Sequence, residues 1–73
     1  MVFRLYVRCD GAAFSDDGYG RPADRDIQRD AEIARILRVV ADRITLGGAP
    51  SHYLTILDVN GNDVGRYALK GDE

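Results

Sequence analysis

Apolar and polar residues alternate from the start of the chain. Phe3, Leu5, Val7 and Cys9 share one side of an extended segment and Arg4, Tyr6 and Arg8 the other. This period of two predicts a β-strand over residues 2–9. Alternation then stops. Residues 10–26 hold Gly11, Gly18, Gly20, Pro22 and five acids, with Phe14 and Tyr19 as the aromatics, and predict a long irregular loop. Such a loop is long for a small domain, where connections run about 4–6 residues, and loops on rigid scaffolds often carry binding.

From residue 27 the period changes. Ile33, Ile36, Leu37, Val40, Ala41 and Ile44 recur at spacings of three and four, which predicts an amphipathic helix over residues 27–46. Asp24, Asp26 or Asp30 suits its start, where a carboxylate meets unpaired N–H groups and the positive end of the helix dipole. Gly47 and Gly48, with Pro50 beyond, stop it. Leu37 and Val40 lie mid-stripe, so cutting the leucine back to alanine is expected to cost about 2–5 kcal/mol.

Residues 52–59 and 64–70 predict a hairpin around Asn60-Gly61-Asn62, since Asn and Gly tolerate the positive φ of tight turns. A two-residue loop sets Asp58 against Asp63, a disfavoured like-charge pair. A four-residue loop, Asn60 to Asp63, instead pairs Val59 with Val64 and Ile56 with Tyr67, and is preferred. Leu54, Ile56, Tyr67 and Leu69 then form the face that meets the helix. The order is β-α-β-β: an α+β fold with one helix packed on a three-stranded, mostly antiparallel sheet. The pattern leaves open whether the first strand lies beside the second or the third. It forms a single domain over residues 1–73, with residues 10–26 as its acidic loop.

Composition narrows the function classes. Ten basic and twelve acidic residues give a net charge of −2, so the chain is neither a strongly cationic nucleic-acid binder nor a polyanionic tail. The charge is unevenly placed: residues 10–32 hold seven acids against three arginines, while residues 1–9 hold Arg4 and Arg8 and no acid. No apolar run reaches the roughly 18 residues of a membrane span. The alternating N-terminus does not read as a signal peptide. One cysteine precludes an internal disulfide, and a cytoplasmic protein is expected.

Candidate chemistry is sparse. Asp58-Val59-Asn60-Gly61-Asn62-Asp63 superficially resembles a calcium loop, but its glycine stands at the fourth place, not the sixth, and Leu69 stands where a bidentate glutamate belongs. It reads as a hairpin turn. Ser15-Asp16-Asp17-Gly18 offers too few converging oxygens for a hard cation. Cys9 and His52, the one cysteine and the one histidine, lack an evident orienting group, and Asp10 beside the thiol disfavours a thiolate. No catalytic residue, metal or cofactor is assigned, and the chain reads as no enzyme. Cys9 reads as a structural thiol, with an intersubunit disulfide as the alternative. Arg4, Tyr6 and Arg8, with Tyr53 and Arg66 beside them, form a cationic-aromatic sheet face, suited either to a dimer interface or to nucleic acid.

Three segments carry a resemblance: residues 8–14 (RCDGAAF), 32–44 (EIARILRVVADRI) and 57–65 (LDVNGNDVG). They resemble short proteins encoded in phages and integrated elements of GC-rich proteobacteria, as does the nine-to-one excess of arginine over lysine. In size, acidity and architecture the chain is similar to anti-CRISPR inhibitors of type I surveillance complexes. The resemblance implies a non-enzymatic protein that binds a basic partner surface and blocks its access to nucleic acid, in the cytoplasm of the bacterial host. Asp16, Asp17, Asp24, Asp26 and Asp30 are the partner-binding residues that this reading nominates. The alternative is a small nucleic-acid-binding accessory protein using the cationic-aromatic face. A homodimer is expected, because so short a chain has a marginal core and open sheet edges.

Overall fold

The computed structural model describes residues 1–14 and 22–71, and in the helix the side chains from Ile27 onward. Strand β1 (Val2–Val7) leads through a single 3-10 turn (Ala12–Phe14) to helix α1 (Pro22–Gly47). Strands β2 (Leu54–Leu57) and β3 (Asp63–Lys70) follow as a hairpin. The sheet order is β1-β3-β2, with both pairings antiparallel. The sheet is thus wholly antiparallel, with the longest strand in the middle and β1 and β2 as edges. The α+β architecture is as the pattern predicts, and the strand order it left open is resolved.

Helix α1 starts at Pro22, five residues before the predicted boundary. Proline has no N–H to leave unsatisfied in a first turn, and its fixed φ suits that position. The apolar periodicity begins later, so Pro22–Asp26 read as loop. The helix ends as expected. Gly48 adopts a left-handed φ of 83° and its N–H donates to the Ile44 carbonyl at 2.8 Å. At the end of the predicted loop's first part, the 3-10 turn places Phe14, 2% exposed, and Ala13 in the core, so Phe14 pins the chain to the helix.

The core lies between α1 and one sheet face: Phe14, Ile36, Val40, Ile56, Val64 and Tyr67 are buried, with Leu5, Val7, Cys9, Ile33 and Ile44 packed around them. The helix buries a row at a spacing of four, Glu32, Ile36 and Val40, with half-buried Ile33 and Ile44 beside it. Leu37, 47% exposed, and Ala41 lie outside it, contrary to the six-residue stripe expected. A helix against a small sheet meets it along one line, and two rows of apolar residues exceed what that line covers.

The hairpin register also differs from expectation. Ile56 pairs with Gly65 and Leu54 with Tyr67, and the ladder then skips Val64, so that Leu57 faces Asp63. The skipped residue is a bulge that lets Val64 reach the core. Gly65 sits where β1 and β3 are closest: a Cβ there would run into the Tyr6 carbonyl and come within 3.1 Å of the Val7 Cα. The glycine allows this approach of the two backbones.

Candidate functional site

Two regions bear polar chemistry. The first joins α1 to the hairpin tip. Glu32, 6% exposed, accepts from Arg35 twice, from Nε to Oε1 and from Nη2 to Oε2, both at 2.8 Å. Its Oε2 also accepts from the Val59 N–H at 2.9 Å. Arg35 in turn reaches the Leu57 carbonyl at 3.5 Å. The hydrogen bond from Arg35, more than the opposing burial, holds the Glu32 carboxyl below its ordinary value, with the Val59 N–H helping.

Asp58, 5% exposed, closes the turn. Its Oδ1 accepts from the N–H groups of Asn60 and Asn62, each at 2.9 Å, and its Oδ2 from the Asn62 side-chain amide at 3.3 Å. The Asn62 backbone N–H is the main cause of its lowered pKa. Gly61 takes the positive φ of 85°, and the Asp58 N–H donates to the Asn62 carbonyl at 2.9 Å. The expected four-residue loop pairing Val59 with Val64 is therefore replaced by a turn over residues 58–62. The like-charge clash of Asp58 with Asp63 is avoided in another way: Asp58 turns inward to the turn's own N–H groups. Both buried carboxylates have their oxygens occupied by donors, and no buried side-chain polar atom is left unpartnered among the described residues. This cluster fastens the helix to the hairpin. The three segments that carried the resemblance meet here and in the adjacent core, through Phe14, Glu32, Arg35 and Asp58.

The second region is the sheet face turned away from α1, over which no described element lies. Tyr6, level with Arg66, Arg4, level with Ala68, and Thr55, also level with Arg66, share this face. Arg8 and Lys70 extend it at either end. Arg66 and Arg8 flank the Asp63 carboxylate. Asp63 Oδ1 accepts from Arg66 Nη1 at 2.7 Å, and the Asp63 carbonyl accepts from Arg8 Nη2 at 2.7 Å. The Arg66 hydrogen bond, then the charges of Arg66 and Arg8, keep the Asp63 carboxyl below its ordinary value. At the far end the Lys70 ammonium stands 5.3 Å from the centre of the Tyr53 ring and donates to the Ser51 carbonyl at 3.2 Å. Tyr6 and Tyr53 are 53% and 41% exposed.

Arg4, Tyr6, Arg8 and Arg66 thus come together as the sequence predicts. Tyr53 joins them as the alternation predicts. Lys70, outside the nominated set, joins them too; its place at the end of β3, two residues on from Ala68, is the signal that puts it on this side. Of the acidic residues, Asp16 and Asp17 lie outside the described residues, and Asp24 and Asp26 lie in α1 with side chains outside them. Asp30 is exposed and pairs with its neighbour Arg29 at 3.1 Å. Cys9 is half-buried, with its Sγ 3.6 Å from the Val7 carbonyl. His52 precedes β2 at the opposite end of the sheet from Cys9, since β1 ends level with Gly65 while β2 begins level with Tyr67. The two do not meet. Among the described residues no His, Cys, Asp or Glu group is placed to hold a metal ion, and no helix is long and apolar enough to cross a membrane. No family model, curated protein or solved structure matches the chain.

Proposed function

We propose that this chain is a non-enzymatic nucleic-acid-binding accessory protein whose working surface is the open sheet face. The observation that carries the reading is the gathering of Arg4, Arg8, Arg66 and Lys70, with two exposed tyrosines, on one sheet face. Guanidinium and ammonium groups neutralise phosphates, and a flat sheet presents them together. The net charge of −2 does not oppose this, because seven of the twelve acids lie in residues 10–32, away from the four cations of the sheet face.

The test is a gel-shift series with single-stranded oligonucleotides across salt concentrations. Four phosphate contacts give a log–log slope of about −3, at roughly 0.7 per contact. Replacing Arg8 and Lys70 by glutamine is expected to flatten that slope while far-UV circular dichroism stays unchanged. Absence of any shift at low salt defeats the reading.

The second reading is the protein-binding one: a phage anti-CRISPR that presents Asp16, Asp17, Asp24, Asp26 and Asp30 to the basic surface of a type I CRISPR surveillance complex. The seven acids within residues 10–32 favour it, since clustered charge steers an oppositely charged partner. Reversing Asp16, Asp17 and Asp24 to lysine then abolishes inhibition of the complex with no change in melting. Inhibition that survives the reversal removes this surface from consideration.

A further inference from the structure

The open face holds more than charge. Of the described tyrosines, Tyr67 is core at 1% exposure, whereas Tyr6 and Tyr53 present their rings on the same side of the two edge strands. Tyr6 lies within the β1–β3 ladder beside Arg66, whose guanidinium is fixed by Asp63. Tyr53 is backed by Lys70, itself tied to the Ser51 carbonyl.

Their separation can be read from the register. Tyr6 is level with Arg66, and Tyr53 falls one residue before Leu54, which is level with Tyr67. With strands about 4.8 Å apart and a rise of about 3.3 Å per residue, the two positions stand roughly 10 Å apart across the sheet and roughly 7 Å along it. That diagonal of about 12 Å is several times the roughly 3.4 Å between neighbours in a stacked strand. Two bases can meet these rings only if they are unstacked from each other, a state that a single strand reaches and a duplex does not.

We propose that this face binds single-stranded nucleic acid by stacking, with Tyr6 and Tyr53 each taking a splayed base and Arg66 and Lys70 meeting phosphates on either side of the pair. This rests on the nucleic-acid reading above and adds to it the form of the ligand. Recognition is by ring faces and phosphates, so it tolerates any sequence. The Lys70 ammonium beside the Tyr53 ring supplies a phosphate contact next to a stacking plane. Arg66, level with Tyr6 on the central strand, holds its guanidinium toward Asp63, on the side of Tyr6 away from Tyr53.

The experiment is fluorescence anisotropy at fixed low salt with three labelled probes: an oligothymidylate, an abasic strand of the same length, and a duplex. Tyrosine emission is followed in parallel, because the chain has no tryptophan to mask it. Oligothymidylate is expected to bind at least about tenfold more tightly than the abasic strand and to quench tyrosine emission, since a stacked base contributes roughly 5- to 150-fold per ring. Tyr6→Leu with Tyr53→Leu is expected to erase that difference and the quenching while abasic binding stays. Tyr6→Phe with Tyr53→Phe is expected to keep the tenfold preference, which separates loss of a ring from loss of the fold. Equal binding of oligothymidylate and abasic strand, or tighter binding of the duplex, overturns stacking and leaves an electrostatic nucleic-acid surface. Failure of all three probes overturns the nucleic-acid reading and the stacking proposal together.

Discussion

Glu32 ties the helix to the hairpin through three hydrogen bonds to one carboxylate, and its charge is what makes them strong. Its folded pKa lies below the ordinary 4.5, with the Arg35 hydrogen bond as the leading cause. A depressed carboxylate stabilises the fold at every pH above its unfolded value, and that stabilisation fades as pH falls through the lower folded value. Glu32→Gln is therefore expected to cost about 1 kcal/mol at neutral pH, the low end of the range for a buried partner, because Arg35 remains 38% exposed and solvent screens the pair. Urea unfolding of parent and variant should show this gap in full at pH 7 and closing as the pH drops below 4.5. A gap as wide in strong acid as at neutrality would mean that the carboxylate's charge plays no part. Asp58 and Asp63 are shifted in the same direction, so the parent itself is expected to lose stability over the same acidic range.

Within the elements, the helix was legible in its existence and its C-terminal stop, but not in its contact row. The apolar residues of α1 form two adjoining rows, and hydropathy alone weights them equally. Packing selects the row that carries Glu32, a residue no hydrophobic pattern includes, because its carboxylate has the Val59 N–H waiting on the hairpin. Leu37 accordingly gives way to Ile36, 1% exposed, as the side chain whose loss matters. Ile36→Ala is expected to destabilise by about 2–5 kcal/mol, and Leu37→Ala to stay within about 0.5 kcal/mol of the parent. Thermal or chemical melts of the two variants decide it, and equal losses would restore the wider stripe. The hairpin shows a similar limit. Asn-Gly marked the turn correctly, but the repulsion between Asp58 and Asp63 argued for the wrong register: Ile56 pairs with Gly65 and Leu54 with Tyr67, as the short loop would have it. What alternation does not reveal is a carboxylate folding back on its own turn, nor a bulge at Val64 that shifts every pairing beyond it by one. The cationic-aromatic face was legible because it needs only the period-two pattern of β1 and β3, and the bulge leaves that pattern intact from Gly65 onward.

At the scale of the whole molecule, the mismatch in length between helix and sheet governs what remains open. The 26 residues of α1 span about 39 Å at 1.5 Å per residue, and the molecule measures 43 × 25 × 19 Å. The eight-residue β3 covers only the middle of that length, so Ile27 and Leu46, at opposite ends of the helix, are 68% and 89% exposed. On the same side of the sheet, Phe3 and Leu54 stay 44% and 39% exposed beyond the covered row. With no described strand beyond β1 or β2, a second copy of the chain is the expected cover, because short chains with marginal cores gain most from association. Light scattering should then give the mass of two chains. Adding reductant is expected to leave it unchanged, because Cys9 packs against the core and its Sγ faces the Val7 carbonyl. A dimer that falls apart on reduction would instead assign Cys9 to an intersubunit disulfide, and a single-chain mass at every concentration would end the dimer expectation. Phe3→Asp separates the two surfaces: it lies on the helix side of β1, so it should break the dimer while the cations and rings of the opposite face continue to bind oligonucleotide. Loss of both activities in that one variant, with the fold intact, would mean that association and binding share a single face.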